Sequence, residues 1–229
     1  MIRVYFADVS ALNDENRYRA AREKLSPERK ERADRLRFRR DQALCVGAGL
    51  LLDYGLRPLG FRERAMRYGF KENGKPYFPD APEIHFNLSH SVDKVMVCLS
   101  DGELGCDIEK IRQAEPKLAE RFFTSGEAAA LRALPLEEQA EAFCRLWTLK
   151  ESFLKLTGRG LALPMNAFEL DLIGERVTVR QNALDVRCFF GEFSVYDGYR
   201  CALCSLRDAA EAVWETVEPD GAALTDEPL

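Results

Sequence analysis

Three acidic side chains and one lysine carry the chemistry open to this chain. A helix through residues 143–161, FCRLWTLKESFLKLTGRGL, puts Trp147, Glu151 and Lys155 four residues apart on one face. A carboxylate, an ammonium one turn later and an indole one turn earlier suit a surface ion pair beside a packed tryptophan. They equally suit a phosphate site with its metal ligand. Asp107 and Glu109 lie two apart on a predicted strand, so both face one side while Ile108 faces the core. Neighbouring carboxylates repel unless positive charge lies between them. Lys110 and Arg112 can neutralise the pair at an exposed strand end; a hard divalent cation is the other natural resident.

These groups need elements to hold them. Residues 2–9 read as a strand. Asn13 or Asp14 can cap a helix running to about Lys24, and Ser26-Pro27-Glu28 is a strong helix start. The helix it opens carries Arg29 and Arg32 on a common side. A third helix, about 42–54, is nearly all apolar and is expected to be buried. Asn73-Gly74-Lys75-Pro76 is a turn signature, with Lys75 biased to an extended conformation by the proline. Residues 85–91, HFNLSHS, begin as an alternating strand and end in Ser89-His90-Ser91. Segments 95–99 and 103–108 look like a hairpin joined by Ser100-Asp101-Gly102. After Pro116 the pattern turns helical: 117–123, a helix capped by Thr124 or Ser125, then a long helix over 137–157. Four strands are expected at 167–173, 176–180, 188–196 and 199–206. The order gives two α+β halves of similar content, with a seam near 112–116.

Composition narrows the partners. The chain has 229 residues, 46% hydrophobic and 31% charged, and no apolar run of the roughly 20 residues a membrane helix needs. The N-terminus reads as a strand and not as a signal peptide. A net charge of −5 gives no general attraction to nucleic acid. Residues 14–41 nevertheless hold eleven Lys or Arg against seven acids, and residues 208–229 hold seven acids and no base. The first reads as a solvated helix face or an anion-holding patch, the second as a loose tail. Seven cysteines in apolar runs suggest buried thiols in a reducing compartment. Cys201 and Cys204, three apart on a strand, point to opposite faces and make a poor metal or redox pair.

Three segments in this order resemble the phosphopantetheinyl transferase superfamily, in its larger, surfactin-synthetase-activating type. They are Phe86-Asn87-Leu88-Ser89-His90-Ser91, Gly105-Cys106-Asp107-Ile108-Glu109, and Trp147-Thr148-Leu149-Lys150-Glu151-Ser152-Phe153-Leu154-Lys155. Gly74-Lys75-Pro76 and the trailing Gly158, Gly160 and Leu161 also fit. The resemblance covers roughly residues 26–163, with a weaker echo in the later strands. It implies an α+β pseudo-dimer of two similar halves with the active site in the cleft between them. Residues 1–111 would form the half that takes the nucleotide end of coenzyme A and part of a metal site. Residues 112–207 would form the half with the WTLKESFLK helix, and 208–229 an acidic tail.

The implied reaction moves the 4′-phosphopantetheine arm of coenzyme A to a serine of an apo acyl, peptidyl or polyketide carrier protein, releasing adenosine 3′,5′-bisphosphate, in a cytoplasmic monomer. By the same resemblance Asp107, Glu109 and Glu151 would hold Mg²⁺, or Mn²⁺ in its place, together with the pyrophosphate. Lys155 would reach the pyrophosphate and stabilise or protonate the leaving group. Ser89 and His90 would hold the nucleotide end and Lys75 would line the 3′-phosphate pocket. Arg29 and Arg32 stand where the family places basic residues for that phosphate. Glu151 is the family's candidate general base; a water held at the ion is the other candidate. The family often carries an Arg within the third helix, where this chain has Leu44-Cys45. Two competing readings are a coenzyme A-binding module without catalysis and a metal-dependent phosphoesterase.

Overall fold

The computed structural model describes residues 1–113, 116–172, 177–181 and 186–218. Its strand β1 (Ile2–Asp8) is followed by helices α1 (Glu15–Glu23), α2 (Pro27–Asp34) and α3 (Arg39–Leu56). Asp14 caps α1 through the N–H groups of Asn16 and Arg17, and Ser26 caps α2 through that of Arg29, with Pro27 in the first turn. The apolar α3 is buried over most of its length, as its composition predicts. A small hairpin, β2 (Gly69–Phe70) and β3 (Pro76–Tyr77), precedes β4 (His85–Ser91), β5 (Lys94–Ser100) and β6 (Leu104–Lys110). Then come α4 (Pro116–Phe122), α5 (Ser125–Ala133) and α6 (Leu136–Thr157). Thr124 and Glu127 form a reciprocal capping box on α5. The last elements are β7 (Phe168–Asp171), β8 (Thr178–Gln181), β9 (Phe189–Phe193), β10 (Tyr199–Ser205) and β11 (Val213–Thr216).

Two sheets organise the molecule. The first has the order β11-β1-β5-β4 and the second β6-β10-β9. Period-two alternation sorts each strand between two cores. Tyr5, Ala7, Val95, Val97 and Leu99 face α1 to α3. Ile2, Val4, Phe6, Met96 and Cys98 face the second sheet, meeting Cys106, Ile108, Cys201 and Leu203. Ala202 and Cys204, on the far side of the second sheet, pack with α4 to α6. The result is helices, sheet, sheet, helices: an α+β pseudo-dimer of two similar halves. Cys201 and Cys204 lie in different cores, as their spacing requires.

Two expectations change. Segments β5 and β6 do not pair as a hairpin. β5 joins β1 and β4, and β6 joins β10. The link at 101–103 is a corner that carries the chain from one sheet to the other, because both strands are apolar on faces that demand separate layers. The change of sheet thus falls between β5 and β6; Ala114 and Glu115 of the expected seam near 112–116 lie outside the described residues. The acidic stretch from Asp208 is also not all tail. Val213–Thr216 forms β11 and pairs parallel with β1. Residues 219–229 of that stretch, and residues 173–176 of the strand-and-turn prediction, lie outside the described residues.

Candidate active site

The edge strands β4 and β6 run side by side where the two sheets meet, without a backbone ladder between them. Side chains make the junction instead. Asn87 Oδ1 accepts from the Cys106 N–H at 2.9 Å, Ser89 Oγ donates to Asp107 Oδ1 at 2.7 Å, and Ser91 Oγ donates to Glu109 Oε2 at 2.7 Å. Helix α6 lies directly over β6. A Cβ on Gly105 would stand 2.2 Å from the Ser152 carbonyl oxygen and 2.3 Å from the Leu156 nitrogen, so only glycine allows this approach. The close approach brings Lys155 into the junction.

Lys155 Nζ donates to Asp107 Oδ1 at 2.6 Å, to Ser89 Oγ at 3.0 Å and to the Cys106 carbonyl at 3.0 Å. Burial works against its charge, but Asp107, together with Cys106 and Glu151, outweighs it and the pKa rises above the ordinary lysine value. Burial and then Asp107 push the Glu151 carboxyl upward, opposed by Lys155. Burial raises Glu109 as well; the Ser91 hydrogen bond pulls the other way and Asp107 adds to the rise. Asp107, Glu109 and Glu151 thus share one wall and feel each other's charge.

They are not gathered into a cage. Among the described residues no three His, Cys, Asp or Glu side chains stand together as a ready metal site. Lys155 holds one oxygen of Asp107, and Ser91 holds one of Glu109. Yet Asp107 is only 3% exposed, and its Oδ2 is buried with no hydrogen-bond partner among the described residues. A buried carboxylate oxygen without a donor is costly. An arriving cation would satisfy it, and hard carboxylate oxygens suit Mg²⁺, which takes few of them and fills its remaining positions with phosphate oxygens and waters. The residues present fit such an ion.

The nucleotide-side residues divide. Arg32 lies at the surface, near enough for its guanidinium to act on the imidazole of His90, which reaches solvent from among packed neighbours. Burial, then Lys155, hold His90 below the ordinary histidine value. Ser89 is inside the Asp107–Lys155 network. Arg29 and Lys75 are each engaged by groups of the chain itself. Arg29 is 6% exposed, with its Nη2 donating to Tyr68 OH at 3.0 Å and its Nε 3.6 Å from Glu63 Oε1. Glu63 also accepts from Ser26, so Arg29 fastens α2 to the core. Lys75 Nζ donates to Glu103 Oε2 at 2.7 Å, to the Leu104 carbonyl at 2.8 Å and to the Leu156 carbonyl at 3.2 Å. It clasps the β2–β3 turn onto the end of α6, as does Asn73 through the Gly158 carbonyl. Burial lowers its pKa. No motif marks Glu63 or Glu103, and only tertiary contact reveals them. Asn87 and Ser91 do carry a signal: polar residues at period two with Ser89 on a strand whose neighbours are apolar.

Lys150, beside Glu151, has another job. Its Nζ is fully buried, 2.8 Å from Glu127 Oε2, and donates to the carbonyls of Met165 and Phe168. Trp147 stacks on Phe143 and meets Phe122 edge-on, which supports its role in packing the helix. On either side of the carboxylate wall lies an opening. A crevice of about 480 Å³ is lined by Asn73, Lys75, Leu88, Leu154, Lys155 and Gly158. A groove of about 780 Å³ is lined by Glu109, Arg112, Leu118, Phe143 and Trp147.

The model of the 4′-phosphopantetheinyl transferase superfamily matches residues 103–204, which contain Asp107, Glu109, Glu151 and Lys155. A 4′-phosphopantetheinyl transferase of Bacillus subtilis is 30% identical over 88% of this chain and 90% of its own length. The chain belongs to the 4′-phosphopantetheinyl transferase superfamily. The transferase Sfp of Bacillus subtilis strain 168 is 33% identical over 79% of this chain and 82% of its own. The transferase psf-1 of Bacillus pumilus is 31% identical over 91% and 92%. A solved holo-(acyl-carrier-protein) synthase of Bacillus anthracis, in complex with coenzyme A (3′,5′-ADP), aligns with a TM-score of 0.40 and 19% identity over 47% of this chain and 96% of that one. No helix among the described residues is long and apolar enough to cross a membrane.

Proposed function

We propose that this member of the superfamily transfers the 4′-phosphopantetheine arm of coenzyme A to a serine of an apo carrier protein. One observation carries the reading: Asp107 has Lys155 on one carboxylate oxygen and a buried, partnerless second oxygen, at the junction of the two halves. A site built this way has a cation already in place for a diphosphate and an opening for another.

In this reading Asp107, Glu109 and Glu151 hold Mg²⁺ or Mn²⁺. When bound, the ion neutralises the diphosphate and stabilises the charge that builds on the leaving phosphate. The chain's own groups do the rest. The crevice beside Lys155, which Lys75 also lines, takes the nucleotide end, with Arg29, Arg32, Lys75, Ser89 and His90 as the groups that would hold it. The groove beyond Glu109 takes the pantetheine arm. The serine oxygen attacks the phosphorus that bears the arm, the bond from that phosphorus to the bridging oxygen breaks, and adenosine 3′,5′-bisphosphate leaves. Lys155, charged at neutral pH, stabilises the leaving phosphate or gives it a proton. Glu151 is the candidate to take the serine proton, and a water held at the ion is the other candidate. Residues 1–111 would then serve chiefly the nucleotide, and residues 112–207 would supply α6. A monomer in the cytoplasm is part of the same proposal.

The test is intact-protein mass after incubation with coenzyme A, Mg²⁺ and a panel of apo acyl, peptidyl and polyketide carriers. One phosphopantetheine arm is expected on at least one carrier and none after chelation. No addition to any carrier, where a control transferase works, would sink the reading. Release of phosphate or phosphopantetheine without a carrier would favour a phosphoesterase.

A further inference from the structure

We infer that Ser91 is a positioning residue for Glu109, and that Asn87, Ser89 and Ser91 form the side-chain ladder that sets the two carboxylates of β6 against α6. The inference rests on the metal reading above. Its basis is the geometry of β4. The three side chains sit at period two, so they share one face of the strand. All three are buried, and in order along β4 they bond to Cys106, Asp107 and Glu109 of β6. Where two edge strands abut without a backbone ladder, such side-chain bonds, together with the Lys155 bridge from Ser89 to Asp107, fix their register.

Ser91 is used most completely. Its hydroxyl donates to Glu109 Oε2 at 2.7 Å and accepts from the Lys110 N–H at 3.1 Å. One oxygen of Glu109 is thereby tied to β4, and the carboxylate loses its freedom to swing. Lys110 holds the hydroxyl so that its hydrogen points at Glu109. The position of Ser91 is itself fixed. It pairs with Lys94 at the end of the β4–β5 ladder. The next residue, Val92, has φ of 61°, a left-handed conformation that strains a β-branched side chain and persists only where its surroundings impose it. The strained turn ends β4 at the residue that holds Glu109. A hydroxyl that aims a metal-holding carboxylate is the kind of outer partner whose loss costs about 10- to 100-fold in metal affinity.

The experiment measures Mn²⁺ uptake by electron paramagnetic resonance. It uses the full chain saturated with coenzyme A, without carrier, against a blank of coenzyme A alone. Ser91→Ala is expected to weaken Mn²⁺ binding by about tenfold or more. It should leave coenzyme A affinity measured without metal within about twofold. Ser91→Thr, which keeps the hydroxyl, should recover most of the loss. If Ser91→Ala does not accumulate as folded protein, Ser91→Cys keeps the volume and weakens the donor, and the same loss is expected. Metal affinity unchanged in Ser91→Ala, or in Ser91→Cys where it replaces it, overturns the role of Ser91 alone. Equal losses of metal and coenzyme A affinity, or no recovery in Ser91→Thr, would mark a merely structural residue and also overturn it. No Mn²⁺ uptake by the unaltered chain would overturn the metal reading, and this inference with it.

Discussion

Lys155 and Glu151 stand one turn apart on α6, yet the lysine ammonium crosses to Asp107 Oδ1 at 2.6 Å. An i, i+4 pair on a helix surface is worth a few tenths of a kcal/mol. Here the spacing serves another end: it leaves Glu151 facing the same wall while its cation is held by the opposite strand.

Lys155→Ala should therefore lower kcat far more than it weakens coenzyme A binding. A single group stabilising developing charge contributes about 10²- to 10³-fold in kcat. Single-turnover rates and coenzyme A Kd values, measured together, separate the two effects. Equal losses in both would contradict the leaving-group role.

Coenzyme A binding should tighten as the medium is made mildly acidic. His90 is held below the ordinary histidine value, so it is neutral at pH 7 and gains its proton only at lower pH. A phosphate beside it favours the protonated form, so affinity rises as pH falls toward that depressed value and levels off below it. Calorimetric Kd values between pH 8 and 5.5 should show this rise in the unaltered chain and a flatter curve in His90→Ala. Parallel curves would remove His90 from the phosphate site.

Gly105→Ala is expected to destabilise the fold and abolish turnover. The added methyl meets backbone atoms of α6, Ser152 O and Leu156 N, and backbone cannot step aside as a side chain can. Overpacking of this kind costs about 1–3 kcal/mol or more. Thermal unfolding together with the carrier assay checks it. A stable, active variant would show that α6 need not lie so close to β6.

Glu127→Ala should cost about 3–5 kcal/mol of stability, because it strands the fully buried Lys150 ammonium. It also removes the α5 capping box and the acceptor for the Leu170 N–H. Lys150→Met in the same chain should recover part of the loss, as measured by denaturant midpoint. A loss under 1 kcal/mol would mean that water reaches the pair.

Local signals were legible in the chain itself. Asp14, Ser26 and Thr124 announced three helix starts through side-chain caps, and the two-residue spacing of Asp107 and Glu109 placed them on one face. Partners far along the chain were not legible. The bonds of Arg29 to Glu63 and of Lys75 to Glu103 could not be read, because those acids carry no spacing relationship to them. The turn at 100–102 looked like a hairpin because two apolar strands with a short link satisfy that pattern equally well. Whether such strands share a sheet or occupy facing layers depends on what else must be covered. β11 was hidden because its acid-rich sequence has little to distinguish a strand from a tail, and its pairing with β1 joins opposite ends of the chain.

That pairing bears on how the molecule is made. β1 leaves the ribosome well before β11, which covers its outer edge. Until β11 follows, the first sheet exposes an open edge, a ready template for pairing with another chain. A nascent chain halted before residue 213 would carry that edge bare. The second half thus does more than add a helix to the cleft: its arrival completes the sheet that was begun first.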